Sequence, residues 1–414
     1  MATDARERAV GVAAEGDTVA VRWAEGHASR FPAIWLRDAC ACELCGDPRR
    51  GRRRFGIGAL SADIVPATVA LLPDGRVRAT WPPDGHASTF EPAWLRARCP
   101  SEAERARRFH RPRLWDGTLD RAAVQLSYNE VMGGEAGLLA LLERVRDYGL
   151  AFVRGVPPDP AEVERVAGLI GYIPETNFGR VFDYYADPNP STPANASDFL
   201  PLHTDEAYRH RPPQIALFHA IRQSADGGGA SLFADGFAAA ERLRAEDADA
   251  FDLLTRVPAA YHRIQPGAPP GADAAPDGLQ QPKHTGADLR SRSRAIAVDA
   301  EGRVIGFRFA DINAGPPDLP EALIRPYYAA MGRLARIVHD PALRITVPLA
   351  TGDMALFDNE RVLHGRTAFD AAAGRRHIRS CYVDRESVHS QLRLLGRRLG
   401  RADAELHLAG GFGA

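Results

Sequence analysis

Two sets of residues in this chain have the types and spacing to hold a metal ion. The first is His203-Thr204-Asp205, joined much later by His364 in Phe357-Asp358-Asn359-Glu360-Arg361-Val362-Leu363-His364-Gly365-Arg366. Two imidazoles and a carboxylate form the ligand set of a mononuclear non-haem Fe(II) centre, which keeps positions open for oxygen chemistry. On a strand, residues i and i+2 point the same way, so His203 and Asp205 could reach one ion. The second set is Cys40, Cys42 and Cys45, three of the five cysteines within six residues. In a reducing compartment such a cluster reads as a metal site before it reads as disulfides. A closed tetrahedral zinc site needs a fourth ligand. His86, just after an expected strand, and His27 compete for that place. Taken alone, the first set is weak: His-x-Asp arises often by chance, and the chain has 13 histidines.

The elements that must position these residues are partly readable. At 414 residues, with 45% apolar and 25% charged residues, the chain can bury a sizeable core and hold two domains. The formal net charge of -1 gives no general attraction to nucleic acid or an anionic membrane. No apolar run reaches the roughly 20 residues of a membrane span, and the first residues lack the apolar core of a secretory signal. A cytoplasmic protein is expected. Alternation in 18–23 and 76–81, the latter after the turn Leu72-Pro73-Asp74-Gly75, predicts strands of a small β-rich N-terminal domain, residues 1–110. Residues 101–113 read as a polar linker or exposed helix. Helical spacing of Leu138, Leu141, Leu142 and Val145 predicts a helix over 138–148. A strand over 150–153 and a helix over 161–170 follow. From about Pro201 short strands dominate, with helices after Gly236 and over 327–338. Residues 352–358 read as a turn feeding the strand that delivers His364. The Pro-, Gly- and Ala-rich stretch 264–288 reads as a mobile loop or lid. Short strands covered by a few helices fit a mainly β catalytic domain over 111–414, a double-stranded β-helix or jelly roll.

The blocks around the two histidines carry a resemblance. One has Leu202-His203-Thr204-Asp205, Arg211-Pro212-Pro213, Leu217-Phe218-His219, Gly228-Gly229 and Asp235-Gly236-Phe237. The other has Gly352-Asp353, Phe357-Asp358-Asn359, Leu363-His364-Gly365-Arg366, Arg376-His377, Tyr382-Val383-Asp384 and Leu392-Arg393. Together they resemble the γ-butyrobetaine hydroxylase and trimethyllysine hydroxylase branch of the 2-oxoglutarate- and Fe(II)-dependent oxygenases, the wider group that includes taurine dioxygenase. The resemblance covers nearly the whole chain. It implies that His203, Asp205 and His364 hold Fe(II), and that 2-oxoglutarate and O2 are consumed with release of succinate and CO2 as one unactivated C–H bond is hydroxylated. It implies Arg376 as the partner of the cosubstrate's distal carboxylate, which a planar guanidinium meets with two hydrogen bonds. If that stretch is a strand, Arg376 faces opposite to Arg375 and His377. Ser231 matches a hydroxyl position that helps hold the same cosubstrate. Cys40, Cys42, Cys45 and His86 match the four ligands of a structural Zn(II) in the N-terminal domain of the family.

For substrate, the resemblance implies an aromatic enclosure of a cationic head group, with Phe178, Phe182 and Tyr382 as candidates beside Asn195; Tyr184 and Tyr185 could contribute. Two departures stand out. Residues 193–197 read Pro-Ala-Asn-Ala-Ser, without the tyrosine of the family pattern. The strand expected to meet a substrate carboxylate, 307–313, carries Asp311, which would repel an anion. Both argue against γ-butyrobetaine itself as the substrate and leave a modified amine, a phosphonate or a biosynthetic intermediate open. The resemblance still implies hydroxylation of a small, γ-butyrobetaine-like amine or quaternary ammonium acid. Two alternatives stay open: the same cofactors driving desaturation, cyclisation or C–C cleavage of another small molecule, or a non-catalytic zinc-containing interaction protein. A homodimer is expected by analogy, with neither nucleic acid nor membrane as partner.

Overall fold

The computed structural model describes residues 5–176, 178–185, 196–224, 228–265, 286–370 and 376–413. The chain divides into two compact units, Met1–Phe109 and His110–Ala414.

The N-terminal unit has two three-stranded antiparallel sheets. One joins Ala9–Glu15, Thr18–Trp23 and Ala28–Pro32; the other joins Thr68–Leu71, Val77–Trp81 and His86–Phe90. Period-two alternation sends Val19, Val21 and Trp23, then Val77, Ala79 and Trp81, into one core with Phe31, Leu36 and Phe90. Both buried tryptophans have a partner for the indole N–H, which donates to Ser29 Oγ and Ser88 Oγ respectively (2.8 Å each). The polar stretch after residue 100 holds one short helix, Glu102–Arg107.

The larger unit is a jelly roll of two sheets. The six-stranded sheet runs Val181–Tyr185, His377–Val383, Ile215–Arg222, Met354–Asp358, Leu150–Arg154, Gln125–Ser127. The four-stranded sheet runs Leu200–His203, Val362–Arg366, Ser231–Asp235, Arg344–Val347. Pairing is antiparallel except where Leu150–Arg154 meets Gln125–Ser127. Inward residues of both sheets share one aromatic core: Phe152, Phe357 and Tyr382 from the larger sheet meet Phe233, Ile345 and Val347 from the smaller. The outer face of the larger sheet is covered by the helices Glu135–Tyr148, Glu162–Ile170 and Arg385–Arg398. The outer face of the smaller sheet packs on Gly236–Glu246, Ala248–Arg256 and Glu321–Val338. Each sheet is therefore packed on both faces, and the strands Met354–Asp358 in one and Ser231–Asp235 in the other are buried at almost every residue.

Three expectations need correction. Residues 352–358 do not feed directly into the strand of His364. Met354–Asp358 belongs to the six-stranded sheet, and a turn at 359–361 passes the chain to Val362–Arg366 in the other. The buried Arg361 fixes that turn, bonding Asp235 through Nε and Nη2 (3.0 Å each) and the Asp147 carbonyl oxygen through Nη1 (2.9 Å). The expected loop at 264–288 is strand at both ends, because Pro258–Gln265 pairs antiparallel with Ala287–Arg294. From Arg290 on, the second of these strands alternates arginine and serine, so hydrophobic alternation could not reveal it; residues 266–285 lie outside the described residues. The helix expected over 327–338 begins at Glu321 and passes through Pro326. Proline reads as a boundary because it lacks an N–H, but burial of Tyr327, Ala330, Leu334 and Ile337 carries the helix across it. No helix among the described residues is long and apolar enough to cross a membrane.

Candidate active site and metal centres

His203 closes the strand Leu200–His203 and pairs directly with His364 on the neighbouring strand. Their rings lie 4.4 Å apart between centroids. The spacing argument for Asp205 is not how the site is built: the strand ends at His203, and Asp205 sits in the turn beyond it. That turn is clamped from outside. The Asp205 N–H donates to Asn359 Oδ1 (2.6 Å), and Asn359 Nδ2 donates to the carbonyl oxygens of Asp205 (3.1 Å) and Pro213 (2.8 Å). Thr204 N–H donates to the Phe309 carbonyl oxygen (2.7 Å). The result is that Nε2 of His203 and Nε2 of His364 each lie 3.5 Å from Asp205 Oδ1. Ligand atoms from the three residues all fall within 4.8 Å of one another.

Charge and protonation suit a cation. His203 Nδ1 faces the Pro201 carbonyl oxygen at 2.9 Å, which makes it the donor and leaves Nε2 as the lone pair on the site. Burial pushes His364 down to about 4, so its imidazole is neutral at ordinary pH. Burial opposes ionisation of Asp205, but His364, His203 and the Tyr382 hydroxyl outweigh it and hold the carboxyl at about 2. Tyr382 donates to Asp205 Oδ2 at 2.9 Å. Imidazole lone pairs beside a firmly ionised carboxylate are what a divalent ion requires.

Arg376 immediately precedes the strand His377–Val383 and shares the inward parity of Ile378, Ser380 and Tyr382. It is buried, and its Nε has no hydrogen-bond partner among the described residues. Burial, with the charge of Arg366 adding to it, pushes its guanidinium down to about 9. A buried cation in this position calls for an anionic partner. Gly229 makes room for it: with φ at +71°, it lies so close that an added Cβ would meet Arg376 Cδ at 3.1 Å. Ser231 is buried and inward on the next strand, paired with Arg366. A buried guanidinium with an unpartnered Nε and a buried hydroxyl are groups suited to one end of a dicarboxylate.

A pocket opens on the same face, with Phe178, Tyr184, Tyr382, His203, Asp205 and Glu206 in its walls. Phe182 is not a wall residue. It is buried behind the others, with its ring 5.7 Å from Phe178, 5.5 Å from Tyr184 and 5.4 Å from Tyr382. Tyr185 instead stacks on His377 (4.5 Å). Asn195 lies outside the described residues. Asp311 is exposed and faces His339 (3.4 Å), so it does not repel an anion in the pocket; Asn313, two residues on, lines it together with Arg263.

In the N-terminal unit, His86 Nε2 lies 3.4, 3.6 and 3.4 Å from the Sγ atoms of Cys40, Cys42 and Cys45. A tetrahedral ion with bonds of about 2.3 Å to sulfur and about 2.0 Å to nitrogen sets such separations near ~3.5 Å. His27 is engaged elsewhere, 3.2 Å from Cys99 Sγ. Of the two histidines, His86 is the one whose ring nitrogen gathers with the three thiols. Arg37 Nη1 donates to Cys45 Sγ (3.2 Å), a positive charge suited to a thiolate cluster.

Sequence reasoning assigned no role to Asn359, Glu206, Arg263 or Asn313. Asn359 stood in a quoted motif, but its partners lie some 150 positions away. Glu206 signals itself only in the fold: it is the one non-glycine described residue with positive φ, at 52°.

Residues 117–382 match the family model described as "Taurine catabolism dioxygenase TauD, TfdA family", and residues 11–89 match "Gamma-butyrobetaine hydroxylase-like, N-terminal". Over 383 residues the chain is 35% identical to the gamma-butyrobetaine dioxygenase of Pseudomonas sp. (strain AK-1), covering 92% of this chain and 94% of that protein. It is 27% identical over 387 residues to the gamma-butyrobetaine dioxygenase of Homo sapiens, with the same coverage. It is 28% identical over 407 residues to the trimethyllysine dioxygenase of Meyerozyma guilliermondii, again covering 92% and 94%.

Proposed function

From a chain that belongs to the TauD/TfdA dioxygenase family, and is an Fe(II)- and 2-oxoglutarate-dependent dioxygenase, we infer that the substrate is a small amine or quaternary ammonium acid, hydroxylated at an unactivated C–H bond. The observation that carries this reading is that Phe178, Tyr184 and Tyr382 line the same pocket as His203 and Asp205. Aromatic faces attract an ammonium group, and Arg263 and Asn313 in the same pocket suit a carboxylate.

The residues divide the work. His203, Asp205 and His364 would hold Fe(II), and Arg376 with Ser231 would hold 2-oxoglutarate. When bound, the iron and the keto acid supply an oxidant strong enough to attack a C–H bond, with release of succinate and CO2. The chain's part is orientation. Tyr382 and Asn359 fix Asp205, the aromatic walls exclude water, and a substrate anchored by its charged ends presents one C–H bond to the open face. Cys40, Cys42, Cys45 and His86 would hold Zn(II) with no position left open, so its role is structural.

A screen of amines, amino acids and betaines for substrate-stimulated succinate release tests this. We expect stimulation that requires Fe(II), 2-oxoglutarate and O2, and a product heavier by one oxygen atom. A product lighter by two hydrogens would favour desaturation or ring closure instead.

A further inference from the structure

Asp205 begins a turn over residues 205–208, and two side chains hold that turn. Asn359 holds its first residue through the Asp205 N–H and carbonyl oxygen. Arg308 holds its far end, where Nη1 donates to the carbonyl oxygens of Arg209 (3.1 Å) and Ala207 (3.4 Å). The next residue ties the same region from the backbone: Phe309 N–H donates to Thr204 Oγ1 (3.2 Å).

Both holding groups meet one short segment from far along the chain, Gly411–Gly413. Arg308 is 2% exposed, and its Nε and Nη2 have no hydrogen-bond partner among the described residues. The ring of Phe412 covers this guanidinium, with Cζ 4.6 Å from the ring centroid. An aromatic face attracts a cation most strongly where water is excluded. The ring fits there because residue 306 is glycine: a Cβ at Gly306 would meet it at 3.1 Å. Gly411, with φ at +66°, seats the segment beside Asn359. An added Cβ would collide with Arg385 Nη1 and Glu360 Oε2, which are bonded to each other.

We propose that Phe412 is a positioning residue for the iron site: its ring keeps the Arg308 guanidinium against the turn after Asp205, so that the aspartate stands ready beside the two histidines. The proposal rests on the iron assignment and adds to it a residue from outside every metal-binding motif. Without the ring, water reaches the guanidinium and competes with the carbonyl oxygens of Ala207 and Arg209. The turn then loosens at the end that Asn359 does not hold.

The test compares full-length wild type, Phe412→Ala and Phe412→Tyr. In the metal-free protein, amide hydrogen exchange over residues 204–209 should quicken about tenfold in Phe412→Ala, the scale of a desolvated cation–π contact. Exchange in the strands Leu150–Arg154 and Met354–Asp358 should stay within about twofold. Titration with Fe(II) in the presence of 2-oxoglutarate, followed by visible absorption, should show a midpoint about tenfold higher in Phe412→Ala. Phe412→Tyr, which keeps the ring face, should match wild type in both measurements. Unchanged exchange at 204–209, a rise shared by all strands, or an unmoved iron midpoint overturns the proposal. If Phe412→Ala fails to fold, Phe412→Leu, which fills the space without a ring face, carries the same expectations; a failure of both to fold makes Phe412 a core residue and also overturns it. A wild-type protein that gives no iron band refutes the iron assignment itself, whereas the exchange comparison needs no metal and reports on Phe412 alone.

Discussion

Cys40, Cys42 and Cys45 come from six consecutive residues and need one partner from elsewhere, whereas His203 and His364 come from paired strands far apart in sequence and Asp205 from a turn held by Asn359. The first cluster is closed by four ligands and has nothing further to bind. The second offers three ligands on one side and opens on an aromatic pocket on the other. The difference shows how a chain separates stability from chemistry. A site that only has to staple a small core can be written locally. A site that has to leave room for two reactants must be built from distant elements that converge and are then braced.

That contrast can be broken most sharply at Asp205. Asp205→Ala should bring 2-oxoglutarate-dependent succinate formation down to background while metal analysis still finds one zinc per chain. Loss of both metals together would contradict the division. The converse is Cys45→Ser, which should release the zinc and expose residues 9–90 to amide hydrogen exchange, since structural zinc supplies folding free energy directly. Iron binding by the larger unit should survive it.

Bracing is tested by a smaller change. Tyr382→Phe removes the donor to Asp205 Oδ2 but keeps the ring. Iron affinity should fall by about 10–100-fold, the usual scale for an outer partner of a ligand, with the zinc site untouched. A loss confined to substrate binding would mean that the hydroxyl does not hold the ligand.

The smallest effect lies away from both sites. Burial opposes ionisation of Asp147, but His110 and Arg146 more than offset it and hold the carboxyl at about 2, against an ordinary 3.8. The folded state therefore binds this proton less readily than the unfolded chain. The resulting stabilisation, about 2 kcal/mol, is fully present above about pH 4 and is lost as pH falls towards 2. Denaturant melts of wild type and Asp147→Asn across that window should converge at the acid end; parallel curves would show that Asp147 carries no such linkage.

Much of the site was legible because its chemistry is local in type. A His-x-Asp pair and a cysteine triplet are visible without a fold, whereas Arg376 and Ser231 were reached only through the resemblance to a known family. Of the N-terminal strands, those expected over 18–23 and 76–81 followed from alternation, and the helix expected over 138–148 from its apolar spacing, since one face of each is buried. What could not be read depended on distant partners. The hydrogen bonds that bend the chain after His203 come from Asn359; the strand Ala287–Arg294 has almost no apolar residue; and Phe182, identical in type to Phe178, is buried behind it against Tyr184 and Tyr382. Glu206 looked like any charged residue until the fold buried it.

The most direct test of the central claim is an anaerobic titration with Fe(II) and 2-oxoglutarate, followed by visible absorption. The His–Asp–His face and Arg376 predict a weak charge-transfer band that appears only with both additions, in the wild-type protein and in Cys45→Ser, and is missing from Asp205→Ala. A band that persists in Asp205→Ala, or that never forms in the wild-type protein, would contradict the assignment.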